Sequence, residues 1–207
     1  MQLIILSHPT ALPNECNLIE TLLEQGLNYF HLRKPSYSKQ EIKNCLNGIA
    51  TKYHSKIILH THFDLLNEYE LKGIHLNLNT IQLGANTINA QHKSFSFHTI
   101  AEIEQCKTQY NYVFLSPIFN SISKPHYKSI LDTQAIQQFL KQRQQQNIIA
   151  LGGIDETRIE DTYKMGFNGI AAMGSIWNAF LKNKNKKELV DKFNIINKQC
   201  QLHAHIH

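Results

Sequence analysis

Hydrophobic residues along this chain gather into eight short runs: LIILSH, YFHLRK, KIILHT, GIHLN, SFSFHT, YVFLSP, NIIALGG and GIAAMG. The runs are rich in Ile, Leu, Val and Phe and too short for amphipathic helices. They suit strands buried on both faces, as in a parallel sheet. Stretches of helical period separate them. Strand alternating with helix eight times predicts an α/β chain folded as a single (β/α)8 barrel, the TIM barrel architecture. The strands are expected at about 2–7, 29–33, 56–61, 73–77, 94–98, 112–116, 147–151 and 169–173.

The intervening segments carry their own signals. Asn14 is expected to cap a first helix whose apolar face includes Leu18, Ile19, Leu22 and Leu23 and which ends near Gly26. Ser38 with Glu41 reads as a capping box, followed by an apolar stripe of Ile42, Leu46 and Ile49. A short helix is expected through Leu65, Leu66 and Tyr69, another through Ile100 and Ile103, and one carrying Ile136, Phe139 and Leu140. Further helices follow over 157–164 and from Ile176 toward Ile196, the last with a break. Residues 78–92 have weak periodicity. A loop of roughly 14 residues with Lys124 and Pro125 follows the sixth strand, a length that at a barrel mouth usually signals function. Residues 1–200 read as one domain and 201–207 as a disordered tail, whose His203, His205 and His207 have only adventitious metal affinity.

Composition narrows the class. The 207 residues are 42% hydrophobic and 18% charged, as in a globular domain. The apolar start, MQLIILSHP, reads as the first strand rather than a signal peptide, and no run reaches the roughly 18 residues of a membrane span. Four cysteines without CxxC spacing suit reduced thiols in the cytoplasm. The net charge of +5 is explained largely by Lys182, Lys184, Lys186 and Lys187 beside the last helix. Nothing in the spacing points to nucleic acid or a membrane as partner.

Ligands of such barrels bind at the C-terminal ends of the strands. The residues placed there are the candidates for chemistry. Gly152 and Gly153 end the seventh strand, and Gly174 and Ser175 open a helix after the eighth. Glycine permits close approach to an anion, and a helix N-terminus offers free N–H groups to phosphate. Arg33 and Lys34 end the second strand and suit phosphate or carboxylate, with a salt bridge at the rim as the alternative. His98 ends the fifth strand as the candidate proton carrier, with Ser96 on its side of the strand. His60 and His62 would project together from extended chain, yet no third metal ligand is evident from spacing, so His60 reads as a polar rim residue and no metal is assigned.

Together these segments resemble the thiamine phosphate synthase and TenI family of TIM barrels, over nearly the whole chain. FHLRK, with His31, resembles the family's (Q/H)-(L/I)-R-E; GIHL its G-V-H-L; SFHT its S-x-H-(S/T); YVFLSPIFNSISK its loop after strand six; and ALGGI with GIAAMGSI its last two strands. The resemblance implies a phosphorylated thiazole as ligand, held by Gly152, Gly153, Gly174, Ser175, Lys124, Ser121 and Ser123, the last two replacing threonines, with Lys34, Ser96, His31 and His60 as further substrate contacts. Family synthases join a pyrimidine pyrophosphate to a thiazole phosphate with Mg²⁺. Their metal-binding Asp positions fall on Thr61 and Asn79, and their strand-two Lys falls on Pro35. The resemblance is therefore closer to the TenI branch, which implies a thiazole tautomerase with no cofactor, His98 moving the proton and Arg33 beside the reacting group. A synthase with an altered Mg²⁺ site and a non-catalytic thiamine phosphate binder are the alternatives. Pairing of barrels into a homodimer is compatible with the resemblance.

Overall fold

The computed structural model describes residues 1–120, 132–143 and 146–203. Strands β1 (Gln2–Leu6), β2 (Phe30–Leu32), β3 (Ile57–Leu59), β4 (Gly73–Leu76), β5 (Lys93–Phe97), β6 (Tyr112–Leu115), β7 (Ile148–Leu151) and β8 (Gly169–Ala172) pair in parallel and in chain order. β8 returns to β1, closing the barrel. Each expected strand is present, trimmed by a residue or two or shifted by one.

Alternation along each strand divides the apolar side chains between two regions. On β1, Ile4 and Leu6 face the lumen with Ile58, Phe114, Ile149 and Ala171, whereas Leu3 and Ile5 join the larger core between barrel and helices. That outer core is supplied by α1 (Glu15–Glu24), α2 (Lys39–Asn47), α4 (Ile100–Gln105), α5 (Thr133–Gln142), α6 (Ile159–Met165), α7 (Gly174–Asn183) and α8 (Lys186–Leu202). The weakly periodic 78–92 stretch holds only a short α3 (Leu78–Gln82) and a 3-10 turn at Ala85–Thr87, and the expected helix near Leu65 is a 3-10 turn over Phe63–Asn67.

The Ser38–Glu41 capping box forms as expected, and similar boxes of Asn77 with Thr80 and Thr99 with Glu102 open α3 and α4. Asn14 corrects the sequence reading. It precedes α1 but has a left-handed backbone (φ 54) and makes no side-chain cap, since a capping side chain reaches the first turn from extended backbone. The long C-terminal helix divides where Lys184 turns left-handed (φ 51). α8 then runs through Leu202, and His203 stacks on Tyr163 at 4.2 Å and meets Glu160 Oε2 at 2.8 Å. α8 thus runs two residues past the expected start of the tail, and His205 and His207 lie outside the described residues.

Lys34 ties β2 to α1 from the wrong side for a ligand contact. It is fully buried, and its Nζ donates to both carboxylate oxygens of Glu15 (2.6 and 2.7 Å) and to the Thr10 carbonyl (2.8 Å). All three ammonium protons are used. Removing one partner of such a pair leaves an uncompensated buried charge, costing about 3–5 kcal/mol. Glu15→Gln is therefore expected to lower the unfolding free energy by that amount in urea titration, while the double variant Glu15→Leu/Lys34→Met recovers much of it. Equal losses in both variants would show that packing, and not the stranded ammonium, sets the cost.

Candidate active site

The C-terminal mouth of the barrel opens into a cavity of about 490 Å³. Loops after seven strands supply its walls, with Ser116 and Pro117 coming from the one after β6. Arg33 follows β2, His60 follows β3, Asn77 and Asn79 follow β4, and His98 follows β5. Gly152 and Gly153 follow β7, and Gly174 begins α7 after β8. His75 and Ser96 reach the cavity from within β4 and β5. Of the residues expected at a ligand site, Arg33, His60, Ser96, His98, Gly152, Gly153 and Gly174 thus share one hollow. Ser121, Ser123 and Lys124 lie outside the described residues.

Three expectations are corrected. Lys34 does not reach the cavity, because consecutive residues of an extended chain point to opposite sides and Arg33 takes the open one. His31 lies beneath the cavity, fully buried in the lumen, since it is paired in register with lumen residues Leu6 and Ile58. His60 and His62 do not project together: the strand ends at Leu59, and His62 is left-handed (φ 52) with Nε2 at 2.9 Å from the Tyr37 carbonyl. Ser175 is adjacent to the site but buried, and its hydroxyl has no hydrogen-bond partner among the described residues.

The two glycines after β7 have a firm local reason. Gly152 (φ +100) and Gly153 (φ +67) adopt backbone that L side chains rarely take. A Cβ on Gly153 would stand 2.2 Å from the Asn120 carbonyl oxygen, and one on Gly152 2.9 Å from Pro117 Cα. The turn after β7 is therefore pressed against the segment after β6, with Ile118 and Phe119 N–H donating to the Leu151 and Gly152 carbonyls. The first N–H groups of a helix have no acceptor within it, and Gly174, the first residue of α7, lines the same mouth. Its N-terminus is anchored by Trp177, whose indole Nε1 donates to the Leu6 carbonyl at 2.7 Å.

His98 is oriented for proton exchange. Its Nδ1 lies 3.0 Å from the Ser116 carbonyl, which only accepts, so Nδ1 carries a proton and, in the neutral form of the ring, Nε2 is the nitrogen with the lone pair. Its backbone N–H is held by the Glu102 carboxylate at 2.7 Å.

Sequence reasoning missed the polar half of the lumen. His31 Nε2 meets the Tyr112 hydroxyl at 2.5 Å and its Nδ1 meets His60 Nε2 at 2.9 Å. His75 Nδ1 meets Ser94 Oγ at 2.8 Å and its Nε2 meets Ser96 Oγ at 2.7 Å. The signal was available in strand parity: His31, His75, Ser94, Ser96 and Tyr112 all occupy inward positions of their strands. Burial, with repulsion from one another and from the nearby Arg33 charge, holds the histidines neutral. His31 and His60 lie well below the usual imidazole range and His75 falls to about 3. Burial likewise pushes the Tyr112 hydroxyl up.

Among the described lining residues there is no carboxylate. Thr61 and Asn79 stand where the resemblance puts the Mg²⁺-binding Asp residues; the buried Thr61 hydroxyl has no partner among the described residues, and Asn79 is a neutral amide in the wall. Mg²⁺ requires hard, preferably anionic oxygen ligands, so this donor set does not fit it.

A closed parallel eight-stranded barrel with a polar cavity at its C-terminal mouth places the chain among the TIM barrels, whose ligand sites lie at this end. Residues 2–176 match the family model described as Thiamine monophosphate synthase, and the chain belongs to that family and to thiamine biosynthesis. The crystal structure of thiamine phosphate pyrophosphorylase from Bacteroides thetaiotaomicron is 32% identical, covers 99% of this chain and 100% of its own, and superposes with a TM-score of 0.84. Thiamine-phosphate synthase 1 of Streptococcus pneumoniae R6 is 24% identical over 184 residues, which span 84% of this chain and 86% of the relative. The thiamine phosphate pyrophosphorylase of Pyrococcus furiosus, 16% identical with a TM-score of 0.77, shares the fold. Among the described residues, no helix is long and apolar enough to cross a membrane.

The neutral histidines make stability depend on pH in a defined direction. Unfolded imidazoles bind protons below about 6.5, whereas buried His75 resists until about 3 and His92 until about 4. The unfolded state therefore holds more protons across that window. Stability is complete above about pH 6.5 and declines progressively toward pH 4. Urea midpoints measured between pH 7.5 and 4.5 should fall for the native chain and fall less for His75→Gln; parallel curves would refute this origin.

Proposed function

We propose that this chain is a TenI-like thiazole tautomerase, which binds a carboxylated thiazole phosphate and moves one proton to make the ring aromatic. The observation supporting this reading is an imidazole with a free Nε2, His98, over a cavity whose described walls carry no acidic side chain. Tautomerisation breaks one bond to hydrogen and forms another elsewhere on the same molecule. A single positioned acid/base that takes the proton and returns it satisfies that balance with no co-reactant.

His98 Nε2 is the group that removes and redelivers the proton, while the Ser116 carbonyl fixes the ring and stabilises the transient imidazolium through Nδ1–H. The phosphate sits at the N-terminus of α7, where the N–H groups of Gly174 and Ser175 and the helix dipole favour an anion. Gly152 and Gly153 shape that seat, and Ser121, Ser123 and Lys124 complete it on the family resemblance. The Arg33 guanidinium balances the substrate carboxylate across the cavity.

A second reading, a thiamine phosphate synthase, is supported by the names of the relatives, several of which are thiamine-phosphate synthases. It requires pyrophosphate release from a pyrimidine pyrophosphate. The two readings separate cleanly. With the non-aromatic carboxythiazole phosphate, absorbance should report aromatisation, and His98→Gln should lower kcat by about 10²–10⁴-fold with little change in KM. Native protein no faster than His98→Gln ends the tautomerase reading. Pyrophosphate release across a Mg²⁺ titration establishes the synthase instead. Arg33→Met is expected to raise KM for the carboxylated substrate far more than for its decarboxylated analogue; equal effects would remove Arg33 from carboxylate recognition.

A further inference from the structure

We infer that His31, His60 and His75 form a binding site for a late first-row divalent metal ion, of the zinc or cobalt class, at the floor of the cavity. One ring nitrogen from each lies within 4.8 Å of the others. Ligand nitrogens on a tetrahedral ion at 2.0–2.1 Å stand about 3.3 Å apart. His31 Nδ1 and His60 Nε2 are already at 2.9 Å, so modest ring rotations complete the set.

The donor chemistry selects the ion. Three imidazoles with no carboxylate among the described lining residues favour zinc, cobalt or nickel and disfavour Mg²⁺, which takes oxygen. Ligating histidines are normally held by a hydrogen bond on the second ring nitrogen. Two of the three have that support: Tyr112 on His31 Nε2 and Ser94 on His75 Nδ1. The ion takes the place of the proton now shared between His31 and His60. That proton moves to the other nitrogen of the ring that carries it, to His31 Nε2 where it is donated to the Tyr112 oxygen or to His60 Nδ1, so neither ring loses a net proton. Ser96, now on His75 Nε2, gives up its bond to the ion.

His60 and His75 line the cavity while His31 closes it from below. Three protein ligands with the remaining position open to a cavity is the pattern of an ion that contacts a ligand, rather than of a closed structural site. An anionic oxygen of a bound molecule would complete the coordination. This inference does not rest on the tautomerase reading, because metal binding is measured without substrate.

The test uses the full chain with His203, His205 and His207 replaced by Gln, which removes the terminal imidazoles. Equilibrium dialysis against Zn²⁺ with metal analysis, and a Co²⁺ titration followed by visible absorption, should each give one equivalent with nitrogen-ligand bands. His31→Gln, His60→Gln and His75→Gln should each abolish that equivalent, and His62→Gln should leave it intact. Ser94→Ala, which spares every ligand, should weaken binding by about tenfold. Thermal melting of each variant without metal identifies any that fail to fold, and Ser94→Ala together with the Co²⁺ spectrum then decides. Binding that survives the histidine substitutions, no stoichiometric binding, or effective competition by Mg²⁺ overturns the site.

Discussion

Side-chain alternation on closed parallel strands is the constraint from which the rest of this molecule follows. In a barrel, every strand residue goes either to the lumen or to the layer beneath the helices, and register locks that choice across all eight strands. The adjacent cations after β2 illustrate its force. Arg33 faces the cavity, and Lys34, one residue on, is committed to a buried pair with Glu15. Neither charge density nor proximity in sequence decides which of them faces the cavity; phase does.

The same constraint produces a lumen of two characters. Ile4, Leu6, Ile58, Ile149 and Ala171 fill one side as an ordinary apolar core. His31, His60, His75, Ser94, Ser96 and Tyr112 fill the other. Burying that many polar groups is tolerable only because they satisfy one another, through the Tyr112–His31–His60 chain and the two serines on His75. With no acidic residue among them, the rings stay uncharged, and the cationic Arg33 above reinforces this.

Much of the architecture was readable from hydrophobic patterning, because buried strands and capped helices leave local signatures. The eight strands, the Ser38–Glu41 cap and the convergence of Arg33, His98, Gly152, Gly153 and Gly174 all follow from run lengths and from where the runs end. What could not be read depends on geometry that no local pattern records. Asn14 has the composition of a cap but the wrong backbone, and His60 and His62 lose their common direction because the strand stops between them and the chain turns. The histidine cluster assembles residues from three strands, visible only once register is known. Sequence alone makes Gly152 and Gly153 candidate anion contacts; their positive φ and the approach of Pro117 and Asn120 give them a packing reason as well.

Trp177 is the single tryptophan of the chain, wholly buried, three residues beyond Gly174 and bonded to the Leu6 carbonyl. It straddles the seam where β8 meets β1, with Leu6 itself in the cavity wall. The molecule thereby contains its own fluorophore, unique in the sequence and wired to the mouth. With excitation selective for indole over the eight tyrosines, a change in emission when a small molecule enters reports on that junction with no label.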